Sequence, residues 1–206
     1  VVEAWRPYSI LAMLRITAGE HRGRKLKVPK VAATRPLAER AREGVFNHIS
    51  GIINGATVWD VYAGSGILGL ESLSRGAAQV VAVEYNRSAI AQIKENASLI
   101  NYSDRMRALQ IDAFSAPSLA KTEAAPDVVF FDPPYADFSG GGLKRIKVWQ
   151  LFLDLSVVMK DGGCAIVHAP KGLLLDNELG KLSGIGRRDY GSSSLYWWHK
   201  PSAATD

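Results

Sequence analysis

The chain has 206 residues, 47% of them hydrophobic, enough for one large domain with its own core. No apolar run approaches the ~18 residues of a membrane helix, and Cys164 is the only cysteine, so neither a disulfide framework nor a cysteine-based zinc site is expected. The net charge of +5 is uneven: residues 1–50 carry ten Lys/Arg against four acids, a balance of +6, leaving −1 for residues 51–206. A basic segment on a near-neutral body suggests a face for polyanions.

In chain order, residues 1–13 hold only a short apolar patch, Ile10 to Met13, too short for a signal-peptide core. They are read as an N-terminal extension and a candidate for disorder, and a cytoplasmic location is the expectation. Leu14-Arg15-Ile16 and Lys25-Leu26-Lys27-Val28 alternate apolar and polar around Gly19 and Gly23, a basic β-hairpin. It has few apolar residues for a core element. Pro36 opens a helix in which Leu37, Ala41, Val45 and Ile49 recur every four residues. Arg15, Arg22, Arg24, Lys25, Arg35 and Arg40 are the candidate phosphate contacts of this segment.

From residue 57 strands alternate with helices. Strands are expected over 57–62, 79–84, 106–111, 127–131 and 164–168, with helices over 67–74, 87–100, 114–120 and 145–159. Residues 184–190 and 195–199 read as an antiparallel hairpin. Such alternation means a mostly parallel sheet covered by helices on both faces, here with an antiparallel edge. The four histidines, His21, His48, His168 and His199, stand far apart without ligand spacing, so surface or packing roles and no metal site are expected.

Asp60-Val61-Tyr62-Ala63-Gly64-Ser65-Gly66-Ile67-Leu68-Gly69 marks the first strand–helix junction and matches G-x-G-x-x-G. Glu84 follows Gly64 at the spacing of an acid that holds ribose hydroxyls, so an NAD-binding oxidoreductase is a rival reading. Against it, a pyrophosphate on the helix N-terminus gains nothing from the Asp60 carboxylate. S-adenosylmethionine (SAM) carries a sulfonium and an ammonium group and no phosphate, and it suits Asp60. Ala63, Gly64, Ser65 and Gly66 would cradle it, Glu84 would take the ribose, and Asp112 the adenine amino group. Asp132-Pro133-Pro134-Tyr135 then follows the buried run Val128 to Phe131. Its prolines donate no backbone hydrogen bonds, so the loop offers carbonyls and a carboxylate, an acceptor-only pocket for an –NH2 group beside a flat tyrosine.

With these residues the chain resembles the class I SAM-dependent methyltransferases of the D/N-P-P-Y group. Within them it is most similar to the bacterial 16S ribosomal RNA guanine-N2 methyltransferases, type D of the small-subunit series. The likeness spans about residues 14–200. It rests on Leu14 to Gly19, Arg22 to Leu26, Thr34-Arg35-Pro36, Arg42-Glu43, Phe46-Asn47, Tyr62 to Gly66, Gly69-Leu70-Glu71, Leu73 to Ala77 and Asp132 to Tyr135. The resemblance implies a Rossmann-like seven-stranded sheet with SAM over its carboxyl edge and a target guanine in a ribosomal hairpin loop. The 16S RNA would be met within the 30S subunit or an assembly intermediate, by a monomer without membrane attachment. It divides the chain into residues 14–53, an RNA-binding appendage, and 54–200, the methyltransferase domain. Asp132, Pro133, Pro134 and Tyr135 would be catalytic and the six basic residues above would hold RNA. A DNA or other RNA amino-methyltransferase, or a non-enzymatic RNA-binding module, remain alternatives. Trp59 and Tyr62 replace the family's usual Leu and Phe, a change expected to be neutral, and His168 stands where relatives often have an acid.

Overall fold

The computed structural model describes residues 14–28, 37–139, 142–172, 182 and 184–202. A two-stranded hairpin, β1 (Leu14–Arg15) and β2 (Lys25–Leu26), precedes helix α1 (Glu39–His48). The repeat that follows is β3 (Thr57–Val61), α2 (Ile67–Ser74), β4 (Gln79–Glu84), α3 (Arg87–Leu99) and β5 (Met106–Gln110). A 3-10 segment (Ala113–Lys121), β6 (Val128–Phe131), α4 (Tyr135–Ser139) and α5 (Leu143–Val158) come next. The chain closes with β7 (Cys164–Pro170), β8 (Gly186–Tyr190) and β9 (Ser193–His199). The main sheet runs β5-β4-β3-β6-β7-β9-β8, with β3 to β7 parallel and β9 antiparallel to both of its neighbours. The alternation of elements implied this mostly parallel sheet with an antiparallel edge, and the family resemblance implied its seven strands.

Strand alternation sorts the core into two layers. Val58, Val80, Ala82, Val128, Phe130, Cys164 and Ile166 face the hairpin, α1, α2 and α3. Trp59, Val61, Val81, Val83, Val129, Phe131 and Val167 face α5 and the 3-10 segment. Asn86 caps α3, its Oδ1 accepting from the backbone N–H of Ser88 and Ala89. The 3-10 geometry after β5 accommodates Pro117, which lacks the N–H an α-helix would use.

The hairpin is more of a core element than its composition suggested. Leu14, Ile16 and Leu26 are buried in the same cluster as Leu70 and Leu73 of α2, because a short strand pair needs only one apolar side to cover a helix. Its seam with the sheet domain is polar at the centre. Arg42 and Glu71, 1% and 0% exposed, pair at 2.7 Å. Arg75 also reaches Glu71 at 2.7 Å, Thr17 donates to Glu71, and Arg42 Nη2 donates to the Arg15 carbonyl at 2.7 Å. Arg42, one of the ten cations of the first fifty residues, therefore points inward. Pro36 and Arg35 lie outside the described residues, as does most of the stretch before β8.

Candidate active site

A cavity of about 790 Å³ opens at the carboxyl edge of the sheet. It lies where β3 sits between β4 and β6 and the strand order reverses, the place where open α/β sheets take ligands. The β3–α2 loop forms one wall. Gly64 has φ +53°, and a Cβ there would meet nothing nearer than 3.9 Å, so the loop leaves the cavity side open to a ligand. Gly69 is needed for close packing: a Cβ would stand 2.8 Å from Val80 Cγ1. Its backbone N–H donates to Asp60 Oδ2 at 3.0 Å. Tyr62, between strand and glycines, adopts φ +67°, a strained conformation for a bulky side chain.

Carboxylates dominate the lining. Glu84 accepts from Gly64 N–H at 2.9 Å and from Asn86 N–H at 2.8 Å. A carboxylate has about four lone-pair sites, so two remain for a ligand. Asp60 is 1% exposed, and burial, reinforced by the charges of Asp132 and Glu84, pushes its carboxyl up to about 8. Asp112 caps the 3-10 segment through Phe114 N–H at 2.9 Å and is exposed on the rim. Asp137 pairs with Lys144 at 2.6 Å. Five acids and one lysine among the lining residues make a place for a cation rather than a pyrophosphate.

On the far wall the Asp132 to Tyr135 loop ends β6 and runs into α4, a short helix in a stretch that the sequence had suggested was loop. His168 at the end of β7 ties the loop down: its Nδ1 lies 2.8 Å from Asp132 Oδ1 and its Nε2 3.2 Å from the Tyr135 hydroxyl. The carboxylate can only accept, so Nδ1 carries the proton, Nε2 accepts, and the tyrosine donates. No partner is recorded for Asp132 Oδ2 among the described residues.

The cavity thus gathers Asp60, Ala63, Gly64, Ser65, Glu84, Asp112 and Asp132 to Tyr135, while Gly66 lies just behind its wall. The basic residues do not converge on it. The hairpin turn is bound to Ser74, the last residue of α2, and Arg24 donates to the Leu99 carbonyl at the end of α3. Those helices begin at the cavity, so the turn stands roughly 12–20 Å from it. Arg15 is held by Glu39 at 2.6 Å. Arg22, Lys25 and Arg40 are exposed, and Arg35 is outside the described residues.

Several lining residues carried no sequence signal for the site. Tyr85 and Phe114, 76% and 45% exposed, are aromatics following the acids Glu84 and Asp112, and Leu37 arrives from the segment before α1. Two further features were not visible in the sequence. His48 and His199 are far apart in sequence, yet their Nε2 atoms lie 3.1 Å apart, because α1 ends over β9. Trp59 and Tyr62 are not simple equivalents of Leu and Phe: Trp59 Nε1 and Tyr62 Oη are buried without a partner among the described residues.

The family described as Conserved hypothetical protein 95 matches residues 14–199. Ribosomal RNA small subunit methyltransferase D of Escherichia coli is 38% identical over 122 residues, 59% of this chain and 60% of that one. A solved hypothetical protein of Thermus thermophilus superposes with a TM-score of 0.71 at 27% identity, covering 93% of this chain and 100% of the other. The fold is shared with a 16S rRNA N2 G1207 methyltransferase of T. thermophilus, with a TM-score of 0.70 at 20% identity over 91% of this chain and 49% of that chain. Because the family match covers nearly every described residue from the hairpin to the last strand, the chain belongs to the Conserved hypothetical protein 95 family.

Proposed function

We propose that the protein transfers a methyl group from SAM to the exocyclic 2-amino nitrogen of a guanine in 16S ribosomal RNA. The observation that carries this reading is one cavity with a cation-suited acidic wall on one side and the braced Asp132 carboxylate on the other. The E. coli relative named as a small-subunit ribosomal RNA methyltransferase supports the choice of substrate.

SAM supplies an electrophilic methyl group on a sulfonium. The residues present fit it: Gly64 leaves room against the loop, Glu84 keeps two lone-pair sites for ribose hydroxyls, and Asp60 offers a carboxyl that a neighbouring cation would ionise. Asp112 on the rim suits an adenine amino group, with Tyr85 and Phe114 as apolar faces for the ring. On the target side a guanine amino nitrogen is a poor nucleophile, since its lone pair is delocalised into the ring. Asp132 Oδ2 and the Pro133 carbonyl would hold its protons and orient the lone pair. Positioning and fixed electrostatics supply most of the acceleration. Asp132 Oδ2 is also the acceptor for the proton released. Tyr135 would stack on the extruded base, worth ~1–3 kcal/mol by analogy with single-strand binders.

The proposed setting is the cytoplasm, with a monomer acting on 16S RNA in the 30S subunit or an assembly intermediate. The test is methyl transfer from labelled SAM to 30S subunits, naked 16S RNA, DNA and protein, with the product identified. N2-methylguanosine in ribosomal RNA is the expected product. Methyladenine or methylated protein would overturn the substrate assignment, and NAD binding without SAM binding would overturn the reaction class.

A further inference from the structure

We propose that His48, His199 and Cys164 form a binding site for a zinc-type divalent cation, separate from the methyl-transfer cavity. The three side chains come from three elements. His48 is the last residue of α1, Cys164 the first of β7, and His199 the last of β9. Cys164 and His199 are direct partners in the antiparallel β7–β9 ladder, so their side chains stand on the same face of the sheet. That face is the one α1 covers. The ligand atoms, one sulfur and two imidazole nitrogens, all lie within 4.8 Å of one another.

Two His and one Cys form a donor set suited to zinc or another late first-row ion and ill-suited to magnesium or calcium. Metal–nitrogen bonds of about 2.0–2.1 Å at a tetrahedral angle place two nitrogens roughly 3.3 Å apart. The two Nε2 atoms are 3.1 Å apart already. Bringing the sulfur into the same sphere requires it and the imidazoles to close by about 1 Å. Both histidines are exposed, so their rings are free to adjust and solvent can take the fourth position. The His48 ring is also seated on Trp197, with centroids 4.5 Å apart, which narrows its orientation.

The charge balance favours a dication only with the thiolate. Arg188 lines the adjoining cavity, and its positive charge opposes a metal. Cys164 on binding gives its proton to solvent and forms the sulfur–metal bond, contributing one negative charge. A thiol ligates as its thiolate, so metal binding at Cys164 is coupled to release of one proton.

The site sits where β7 begins, at the amino edge of the parallel strands, opposite the cavity at their carboxyl edge. Its consequence is therefore mechanical: a metal there would pin the end of α1 to β7 and β9. The site owes nothing to the proposed reaction and stands or falls independently of it.

The probe is Co2+ added to chelator-treated full-length protein. One equivalent should give the visible bands of a tetrahedral site together with a thiolate-to-cobalt charge-transfer band, and Zn2+ should displace it. The log of affinity should rise by about one per pH unit, the signature of one proton released. His48→Ala and His199→Ala should each weaken binding by more than the roughly 10–100-fold seen when an outer-sphere partner is lost. Cys164→Ala should abolish the charge-transfer band and the pH slope. Circular dichroism and SAM binding, read at the opposite edge, serve as the check that each variant is folded. No cobalt bands in the parent protein, or affinities unchanged in folded histidine variants, would reduce the feature to an imidazole–imidazole hydrogen bond. An unchanged pH slope in folded Cys164→Ala would remove sulfur from the site and overturn the three-ligand proposal.

Discussion

His168 and Asp132 are joined through Nδ1 and Oδ1 at 2.8 Å across the carboxyl ends of neighbouring parallel strands. One carboxylate oxygen is thereby fixed by the protein, and the other has no partner among the described residues on a side chain that lines the cavity.

Asp132→Ala should therefore remove most methyl transfer while SAM affinity changes little, and Asp132→Asn should retain part of the rate because an amide oxygen still accepts. His168→Phe should lower kcat roughly tenfold, the equivalent of one hydrogen bond to a charged group at ~1.5 kcal/mol, without raising KM for SAM. His168→Asn can restore a donor to Asp132 and should recover part of that loss. Steady-state kinetics on the four variants decide the matter, and a normal rate in Asp132→Ala would exclude the positioning role.

Asp60 predicts a pH effect of definite sign. Its carboxyl holds a proton to about 8 in the folded protein, against an ordinary value of 3.8. Between those limits the folded state binds the extra proton, so this residue's contribution to stability of the ligand-free protein falls as pH rises, by up to ~1.4 kcal/mol per unit. Asp60→Asn keeps an acceptor for Gly69 N–H and removes the effect. Urea denaturation at several pH values should show a parent-minus-variant difference that declines from pH 5 to pH 8. A flat difference would mean that Asp60 is ionised in the free protein.

Tyr62→Phe deletes a buried hydroxyl that lacks a protein partner among the described residues. It should stabilise the ligand-free protein by about 1 kcal/mol, the lower end of the cost of an unsatisfied buried polar group. If the hydroxyl instead serves bound substrate, thermal stability will rise while kcat/KM falls. A loss of stability without ligand would show that the hydroxyl is satisfied in solution.

The basic hairpin supplies the last prediction. Arg22, Arg24 and Lys25 replaced together by Ala should leave folding and SAM binding intact and raise the apparent KM for RNA. The slope of log affinity against log salt should flatten by up to ~0.7–0.9 for each phosphate no longer neutralised. The turn's distance from the cavity means that these residues would meet RNA flanking the target. An unchanged slope would shift attention to Lys144, which pairs with Asp137 just after the Asp132 to Tyr135 loop, and to the exposed Lys147 on the same helix.

The repeat from β3 to β7 was legible because apolar runs and glycine-marked junctions are local signals, and α2 and β4 fall on the residues their patterns indicated. Glu84 and Asp132 were legible for the same reason: each terminates an apolar run. What the sequence hid was orientation. Nothing in the sequence set Arg42 apart from the other cations by its direction, and only the packing of α1 on α2 turns it onto Glu71. His168 and the His48–His199 pair depend on strand order and on where α1 ends, neither of which leaves a spacing to read. The helix after Tyr135 was masked by the glycines that follow it.

The Arg42–Glu71 pair gives the N-terminal unit a different standing from that of a detachable module. A chain cut before residue 54 would expose the apolar side of α2 and leave Glu71 with Arg75 as its one remaining cationic partner among the described residues, at the end of its own helix. Replacing Arg42 alone, with the unit still in place, would take a partner from a carboxylate that stays buried, a change that destabilises by roughly 3–5 kcal/mol. Recombination between relatives that swapped only the first fifty residues would need Arg and Glu to travel together. The polar seam thus acts as a compatibility lock, by which ancestry rather than surface shape decides which N-terminal units this sheet can accept.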